Sequence, residues 1–328
     1  MNVEQPNRRW TRWLVAAIKL AVVVVVVWFI RQTLMGAWHS LAEHQWGFAR
    51  LRVPWLFLAA AFYLAGTLLS GIFWHRVLRA MGQGAGLGEA LRAYYIGHLG
   101  KYVPGKAMVV VLRTGLIRSH RVDATLAAVS VFFETLTMMA VGAFLAASIV
   151  AIWFRGHTLL FWAAVGMMFA SGVPVLPPVF RRLVRLLVGK WSGSADAALA
   201  QVGYAITAVG WFLNVFAWVL LGLSLWAVLR SMGAAAGPTD SPLGQLPTYT
   251  ASVSLATVAG FVSFVPGGAV VREAVLAELT KPEFGDVVAV VSAVLLRLVW
   301  LVSELVISGI LYLVPGCSRS RPSPSDGK

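Results

Sequence analysis

The sequence is poor in charged residues, and this excludes most soluble folds. Only 12% of its 328 residues are charged, 59% are hydrophobic, and the mean hydropathy is +0.78, whereas a soluble domain carries about 25% charged residues. Several apolar runs exceed the ~20 residues needed to cross the ~30 Å hydrocarbon layer. We therefore predict an all-α integral membrane protein with one polytopic domain over residues 1–317. Residues 318–328 are polar and are expected to form a disordered cytoplasmic tail.

Cysteine is nearly absent, since Cys317 stands alone, and intrachain disulfides are excluded. Cys317 lies just past the last apolar run, where it is either a palmitoylation site or an inert thiol. The six histidines lack the spacing of metal ligands. Phosphate-binding glycine loops and hydrolase motifs are missing as well. We accordingly expect no metal, no cofactor and no enzymatic activity.

Acidic residues are scarce too, so the formal net charge is +14, from 27 Lys and Arg against 13 Asp and Glu. Such a charge could indicate nucleic-acid binding, but no motif of that kind is present. The basic residues instead cluster beside apolar segments, as the positive-inside rule expects of cytoplasmic loops. We therefore expect no nucleic-acid partner, and we expect a bacterial-type plasma membrane protein with both termini in the cytoplasm.

The long apolar runs predict six transmembrane helices. The first, Trp13–Ile30, follows basic residues as a signal peptide would, but it is longer than a signal core and no cleavage site follows it. We interpret it as an uncleaved helix. The remaining predicted elements are helices at Pro54–Leu78, Ala124–Phe154, Thr158–Val179, Ala205–Leu229 and Val287–Val314, a basic loop over 181–190, and a Pro/Gly-rich linker over Gly233–Pro247.

Two further apolar segments are interrupted by proline and glycine. Each half of the first segment reaches about 20–25 Å, which is too short to cross the bilayer comfortably. We predict two re-entrant helical hairpins with the interruptions at their tips, where glycine lets a ligand approach the backbone. The tips are Pro104-Gly105, beside Tyr102, in Leu87–Arg118, and Pro266-Gly267-Gly268 in Thr248–Leu279.

The two interruptions lie 162 positions apart, from Pro104 to Pro266, and the flanking residues partly match. With six crossings, the first hairpin enters from the cytoplasm and the second from outside. Two pseudo-repeat halves, about 54–180 and 205–314, would then have inverted topology, which transporters use to place broken helices near the midplane. In the alternative interpretation, Thr248–Val265 crosses completely, since it spans about 27 Å, and the basic tail lies outside.

Three charged residues are expected deep in the membrane. Glu134 and Arg297 each lie roughly 15 Å into a predicted helix, near the midplane. An isolated charge there costs at least ~2.5–3.5 kcal/mol, so a partner or a wet cavity is needed. We hypothesise that both face one central cavity and pair directly; the alternative is a salt bridge with no role in transport. Glu304 shares the helical face of Arg297 and either extends the polar lining or pairs with a neighbouring helix.

Positive charge follows each interruption. Arg272 and Glu273 open the second half-helix, where unpaired N–H groups and the helix dipole favour an anion. The arginine adds bidentate donors suited to phosphate. Lys106 and Arg113 offer a similar site in the first hairpin. We predict that these residues bind an anionic lipid headgroup; in the alternative they only anchor the hairpins by snorkelling, which is the role expected of Lys101.

These motifs resemble a known family. Lys101–Lys106 looks like the "YxPGK" signature of the lysylphosphatidylglycerol synthase transmembrane-region family, and Phe261–Glu273 resembles its second signature, "S-x-x-P-G-G-x-G-x-R-E". Glu134 and Arg297 match the intramembrane Glu and Arg of that family. The resemblance extends from about the second predicted helix to the sixth.

The sequence departs from the family pattern at two positions. Val270 stands where the second signature usually has its third glycine, and Thr135 stands where arginine commonly follows the intramembrane Glu. Some members are fused to a soluble aminoacyltransferase domain that makes aminoacylated phosphatidylglycerol. No such domain is found in these 328 residues, so the resemblance implies the flippase-like part without the synthase activity.

The leading functional prediction is a lipid translocase that moves an anionic or phosphate-bearing lipid, either a phospholipid or a polyprenyl-phosphate lipid. An alternative is a lipid-binding partner, without transport, of a separate lipid- or glycolipid-modifying enzyme. A third, weaker alternative is a membrane-embedded transferase with Glu134 as its base. Expected protein partners are a second copy of the chain or a lipid-modifying enzyme.

Overall fold

The computed structural model describes residues 31, 35, 51–103, 107–119, 121–153, 158–188, 193–233, 242–263, 265, 268 and 270–313. The predicted first helix Trp13–Ile30 and the predicted tail lie outside these residues. Within them the fold is helical and contains no strand, which confirms the all-α class. The helices are α1 Val53–Ala80, α2 Leu87–His98, α3 Ala107–Ile117, α4 Ala124–Trp153, α5 Thr158–Gly172, α6 Pro177–Val188, α7 Gly193–Ala200, α8 Tyr204–Ser231, α9 Pro242–Val262, α10 Val271–Phe284 and α11 Asp286–Leu313.

Four of the described helices are long and apolar enough to cross a membrane: α1, α4, α8 and α11. Each has 28–30 residues, and at 1.5 Å per residue it exceeds the ~30 Å hydrocarbon thickness. Their bounds agree with four of the predicted spans to within a few residues. The protein is therefore a multi-pass membrane protein.

Two predicted connections are wrong because they contain helices. The basic loop expected over 181–190 is largely α6, which begins at Pro177, since a proline at the first helical position needs no hydrogen-bonded N–H. Phe180 and Val184 are buried on its inner face, whereas Leu186 is exposed. The linker expected over Gly233–Pro247 ends early, because α9 begins at Pro242. The short helix α7 was not predicted.

The predicted helix Thr158–Val179 is also too long. Helix α5 ends at Gly172, and Val173–Val175 forms a 3-10 turn. Pro174 lies inside this turn, and proline removes a helical N–H and clashes with the preceding turn. The predicted extension therefore consists of a turn and the start of α6.

Helices α1 and α8 run antiparallel through the centre of the fold. The N–H of Arg52 donates to the carbonyl of Ser231 at 2.9 Å, which joins the start of α1 to the end of α8. Deeper in the pair, the Ser224 hydroxyl donates to the carbonyl of Ala59 at 2.8 Å. A Cβ on Gly66 would lie 3.0 Å from the carbonyl oxygen of Ala217, so glycine allows the close approach of the two backbones.

Helices α2 and α3 form one tightly packed antiparallel pair. Its two ends meet, because the N–H of Gly84 donates to the carbonyl of Arg121 at 3.0 Å. Near the other end, a Cβ on Gly100 would lie 2.7 Å from the backbone nitrogen of Val109. Only glycine fits at this contact.

Helices α9 and α10 form a second such pair. A Cβ on Gly260 would lie 3.2 Å from the Cα of Gly268, and the reciprocal distance from Gly268 is 3.1 Å. At the opposite end, the side chain of Gln245 donates a hydrogen bond to Glu283. Each pair therefore returns the chain to the end where the pair began.

Candidate functional site

A cavity of about 280 Å³ lies where the two helix pairs meet the spanning helices. Tyr63 of α1, Tyr94 and His98 of α2, and Arg113 of α3 line one part, and Arg272 of α10 lines another. Apolar side chains of α4 and α8 form much of the remaining wall. Most small-molecule sites are likewise largely apolar, with a few convergent polar groups.

Glu134 enters this cavity from α4 and forms an ion pair with Arg113. The carboxylate Oε2 lies 2.7 Å from Nη1 of Arg113, and both side chains are 2% exposed. The guanidinium carbon also lies 3.9 Å from the ring centroid of Tyr94, whose hydroxyl donates to Glu134 at 3.3 Å. Two fully buried opposite charges thus join α3 to α4.

Glu304 of α11 is the second buried carboxylate of the site. It accepts hydrogen bonds from the ammonium of Lys101 and from the hydroxyl of Tyr63. Lys101 Nζ also lies 3.4 Å from the Tyr63 hydroxyl, and the Tyr63 ring stacks on Trp300 with centroids 4.5 Å apart. This cluster joins the turn after α2 to α1 and α11.

The third carboxylate, Glu273, pairs with Arg297. Nη1 of Arg297 donates to Oε1 of Glu273, and the two side chains are only 11% and 18% exposed. The pair joins α10 to α11.

Arg272 differs from the other cations of the site. Lys101, Arg113 and Arg297 each contact a carboxylate, whereas among the described residues Arg272 contacts none. Its Nη2 is buried without a hydrogen-bond partner, and its guanidinium carbon lies 4.2 Å from the ring centroid of Trp300. A buried guanidinium donor without a partner is costly, and an anion in the cavity would satisfy it.

His98 lies between the two buried ion pairs. Its Nδ1 is 3.3 Å from Nη2 of Arg113, and its Nε2 is 3.7 Å from Oε1 of Glu304. The ring stacks on Tyr94 with centroids 5.8 Å apart. The imidazole therefore connects the Arg113–Glu134 pair to the Lys101–Glu304 pair.

Several predicted site residues meet in this region, but not in the expected pairs. Glu134 and Arg297 were hypothesised to pair directly, whereas the structure pairs Glu134 with Arg113 and Arg297 with Glu273. One of the two interpretations of Glu304 was that it pairs with a neighbouring helix. In the structure it pairs with Lys101, in the turn that follows α2. The physical reason is that helices α3 and α10 bring oppositely charged partners within contact of these side chains, Arg113 for Glu134 and Glu273 for Arg297.

The predicted hairpin tips are described in part. Tyr102 is buried, and Gly268 contacts Gly260 at the cavity wall. Pro104, Gly105, Lys106, Pro266 and Gly267 lie outside the described residues.

Most cavity residues were not among the predicted site residues, including the polar or aromatic Tyr63, Tyr94, His98 and Trp300. The snorkelling role expected of Lys101 is wrong, because its ammonium points to the buried Glu304 instead of to the interface. A signal existed for His98 and Lys101, which lie three residues apart just before the first interruption. A polar histidine and a lysine on one helical face suggest a shared site.

The charge of the site favours an anion. Lys101, Arg113, Arg297 and Arg272 face three carboxylates, those of Glu134, Glu273 and Glu304, so the described groups have one positive charge in excess when His98 is neutral. Among the described residues, no three His, Cys, Asp or Glu side chains converge as a metal site would need.

Comparison with known proteins identifies the family of the chain. No curated protein matches the chain in a sequence search. The family model described as "Lysylphosphatidylglycerol synthase TM region" matches residues 16–307, which include every helix of the cavity except the last residues of α11. The chain therefore belongs to the lysylphosphatidylglycerol synthase transmembrane-region family, whose name connects it to lipid handling.

Proposed function

We propose that the protein is a lipid translocase that moves an anionic, phosphate-bearing lipid across the bacterial plasma membrane. The headgroup would occupy the cavity while the acyl chains stay in the surrounding lipid. The observation that supports this proposal most directly is Arg272, a cavity cation whose Nη2 is buried without a hydrogen-bond partner. Guanidinium groups bind phosphate through paired donors.

The arrangement of the helix pairs supports transport rather than binding alone. In this proposal, α2–α3 and α9–α10 are two re-entrant hairpins that do not cross the bilayer. The predicted first helix and α5 join the four long helices to give six crossings. The loops joined by Gly84 and Arg121 adjoin the end of α1. The loops near Gln245 and Glu283 adjoin the start of α11.

The ends of the spanning helices support entry of the two hairpins from opposite sides. The start of α1 meets the end of α8, through Arg52 and Ser231, and α9 follows α8 in the chain. The end of α11 meets α2, because Arg92 donates to the carbonyl of Leu311 at 2.8 Å. We accordingly propose that one hairpin enters from the side where α1 ends and the other from the side where α1 begins, as in transporters with inverted repeats.

Reconstitution would test the proposal. Purified protein is placed in phosphatidylcholine vesicles containing a trace of fluorescent phosphatidylglycerol, and transbilayer movement is followed by quenching of the outer-leaflet label. We expect wild-type protein to accelerate exchange and Arg272→Gln to lose at least tenfold of that acceleration. A fluorescent phosphatidylcholine in the same vesicles reports general leakage.

Lys281→Gln is the matched control, because Lys281 lies on the same helix but is exposed and pairs with Asp286 at 2.7 Å. The hydrogen bond to Asp286 raises the pKa of Lys281, so the wild-type side chain is charged throughout the assay range. We expect this variant to keep wild-type exchange.

Three results would contradict the proposal in different ways. Binding of phosphatidylglycerol without accelerated exchange would favour the lipid-holding partner of a separate enzyme. Equal exchange by Arg272→Gln and wild type would remove Arg272 from the pathway. Formation of a new lipid product in detergent, abolished by Glu134→Gln, would favour the transferase alternative.

A further inference from the structure

The contacts of His98 indicate which ring nitrogen carries the proton of the neutral imidazole. A guanidinium has donors and no acceptor, so the Nδ1 that faces Nη2 of Arg113 at 3.3 Å must accept. The proton of the neutral ring therefore lies on Nε2, which points toward Oε1 of Glu304 at 3.7 Å. This distance is beyond a hydrogen bond but close enough for an ion pair if the ring were charged.

A second proton on this ring would rearrange both neighbouring pairs. Protonated Nδ1 would present N–H to the N–H of Arg113, so that contact would be lost. The imidazolium would be drawn to Glu304 and would compete with the ammonium of Lys101 for the same oxygen. Arg113 would keep its bond to Glu134, at 2.7 Å. Protonation thus adds one positive charge to the cavity wall and weakens the ion pair between Lys101 and Glu304.

Titratable or charged groups surround His98 on every element that packs against it. They lie on its own helix and the following turn, on α1, α3, α4 and α11, and across the cavity on α10. These groups are Tyr94, Lys101, Tyr63, Arg113, Glu134, Glu304 and Arg272. With an empty cavity, burial of the ring and then the neighbouring cations oppose an imidazolium. An anion beside Arg272 offsets that opposition.

We propose that His98 takes up one proton when an anionic headgroup enters the cavity, so that headgroup binding is coupled to protons. The proton comes from solvent and is held on Nδ1, and no covalent bond of the lipid changes. Binding linkage is reciprocal, so a lower pH must strengthen anion binding by the same free energy. This inference rests on the proposed lipid-binding function and extends it to a means by which a proton gradient could drive the lipid.

The experiment measures both affinity and proton uptake. Detergent-solubilised full-length protein is titrated calorimetrically with short-chain phosphatidylglycerol between pH 5.5 and 8, where a phosphodiester keeps a constant charge. We expect the affinity to rise as the pH falls, by up to about tenfold per pH unit for one linked proton. Repeating each titration in two buffers of different ionisation enthalpy gives the number of protons taken up, which we expect to approach one.

Two substitutions assign the proton to His98. His98→Asn keeps an acceptor near the position of Nδ1, and His98→Gln keeps a polar group near Nε2, but neither titrates. Both should bind with a flat pH dependence and take up no proton. His75→Gln is the matched control, because His75 contacts the carbonyl of Ala85 at 3.3 Å outside the cavity, and it should keep the wild-type proton uptake.

The outcomes separate this inference from the proposed function. Binding that depends on pH in wild type and His75→Gln but not in the two His98 variants supports the inference. Proton uptake that persists in both His98 variants would place the proton on another group, such as Glu304, and overturn it. Pronounced binding with no proton uptake in wild type would also overturn it and leave the lipid-binding function standing. Absence of phosphatidylglycerol binding at every pH would refute the proposed function for this lipid, and the inference with it.

Discussion

At the scale of single residues, the buried ion pairs determine what the site tolerates. Arg113 and Glu134 are each 2% exposed, and each is the other's charge partner. Removing one partner of a buried pair leaves an uncompensated charge, which costs about 3–5 kcal/mol. We predict that Arg113→Met lowers the free energy of unfolding by about that amount, measured by thermal or denaturant unfolding in detergent.

The double variant Arg113→Met/Glu134→Gln provides the control for this prediction. Because it removes both charges, it should recover most of the stability lost by Arg113→Met alone. If the free energy of unfolding lost by the double variant equals the sum of the losses in Arg113→Met and Glu134→Gln, the pair is not energetically coupled.

Val270 carries backbone strain that a glycine would remove. Its φ of 67° and ψ of −52° lie in a region that β-branched residues avoid. Such strain costs about 1–3 kcal/mol, while glycine costs about 0.5–1 kcal/mol in lost chain entropy. We therefore predict that Val270→Gly stabilises the protein by about 1 kcal/mol, seen as a higher unfolding midpoint.

Val270→Ala serves as the comparison at this position, since it removes the branched side chain but keeps Cβ. It should gain less than Val270→Gly. Destabilisation by glycine would mean that the contacts of the exposed valine side chain stabilise the protein by more than its backbone strain destabilises it. The sequence had indicated this position, because the resembling signature usually has glycine there.

At the scale of elements, glycine contacts hold each helix pair together. A Cβ on Gly100 would lie 2.7 Å from the nitrogen of Val109 and 2.8 Å from the carbonyl carbon of Met108, and backbone atoms cannot move aside cheaply. Overpacking of this kind costs about 1–3 kcal/mol. We predict that Gly100→Ala lowers the unfolding midpoint and weakens lipid exchange, because the pair carries Lys101 and Arg113.

Gly115→Ala is the matched control within the same helix pair. A Cβ there meets nothing within 4 Å, and alanine favours helix over glycine by about 1 kcal/mol. This substitution should leave the stability unchanged or raise it. Equal losses in both variants would show that the effect comes from glycine as such and not from the close contact.

Element positions could largely be predicted from the sequence, because apolar length is a local property. The spans α1, α4, α8 and α11 were found in this way. Helices α6 and α7 were missed, since their polar residues resemble those of a loop.

The site was predicted in part: the buried charges could be named, but their partners could not. Arg113 meets Glu134 across 21 positions and Lys101 meets Glu304 across 203, and only the packing of helices decides such pairs.

At the scale of the whole molecule, every function proposed above depends on the two helix pairs meeting one cavity from opposite sides. His98, Lys101 and Arg113 belong to the first pair, and Arg272 belongs to the second. A headgroup held between them would touch both pairs at once. Relative movement of the pairs could then expose it to either side in turn, as in alternating access.

Opposed entry can be measured by labelling single cysteines with a membrane-impermeant maleimide. In a Cys317→Ser background, we place one cysteine at the exposed Gly88, near the start of α2, and another at the exposed Lys281, near the end of α10. The structure joins Gly84 to Arg121 and Lys281 to Asp286, so each cysteine marks the side from which its pair enters. The positive-inside rule predicts that the first pair enters from the cytoplasm. We expect Lys281→Cys to react in intact cells and Gly88→Cys to react only after permeabilisation.

Reaction of both cysteines from the same side would show that the two pairs enter together, and a headgroup could not then pass from one pair to the other.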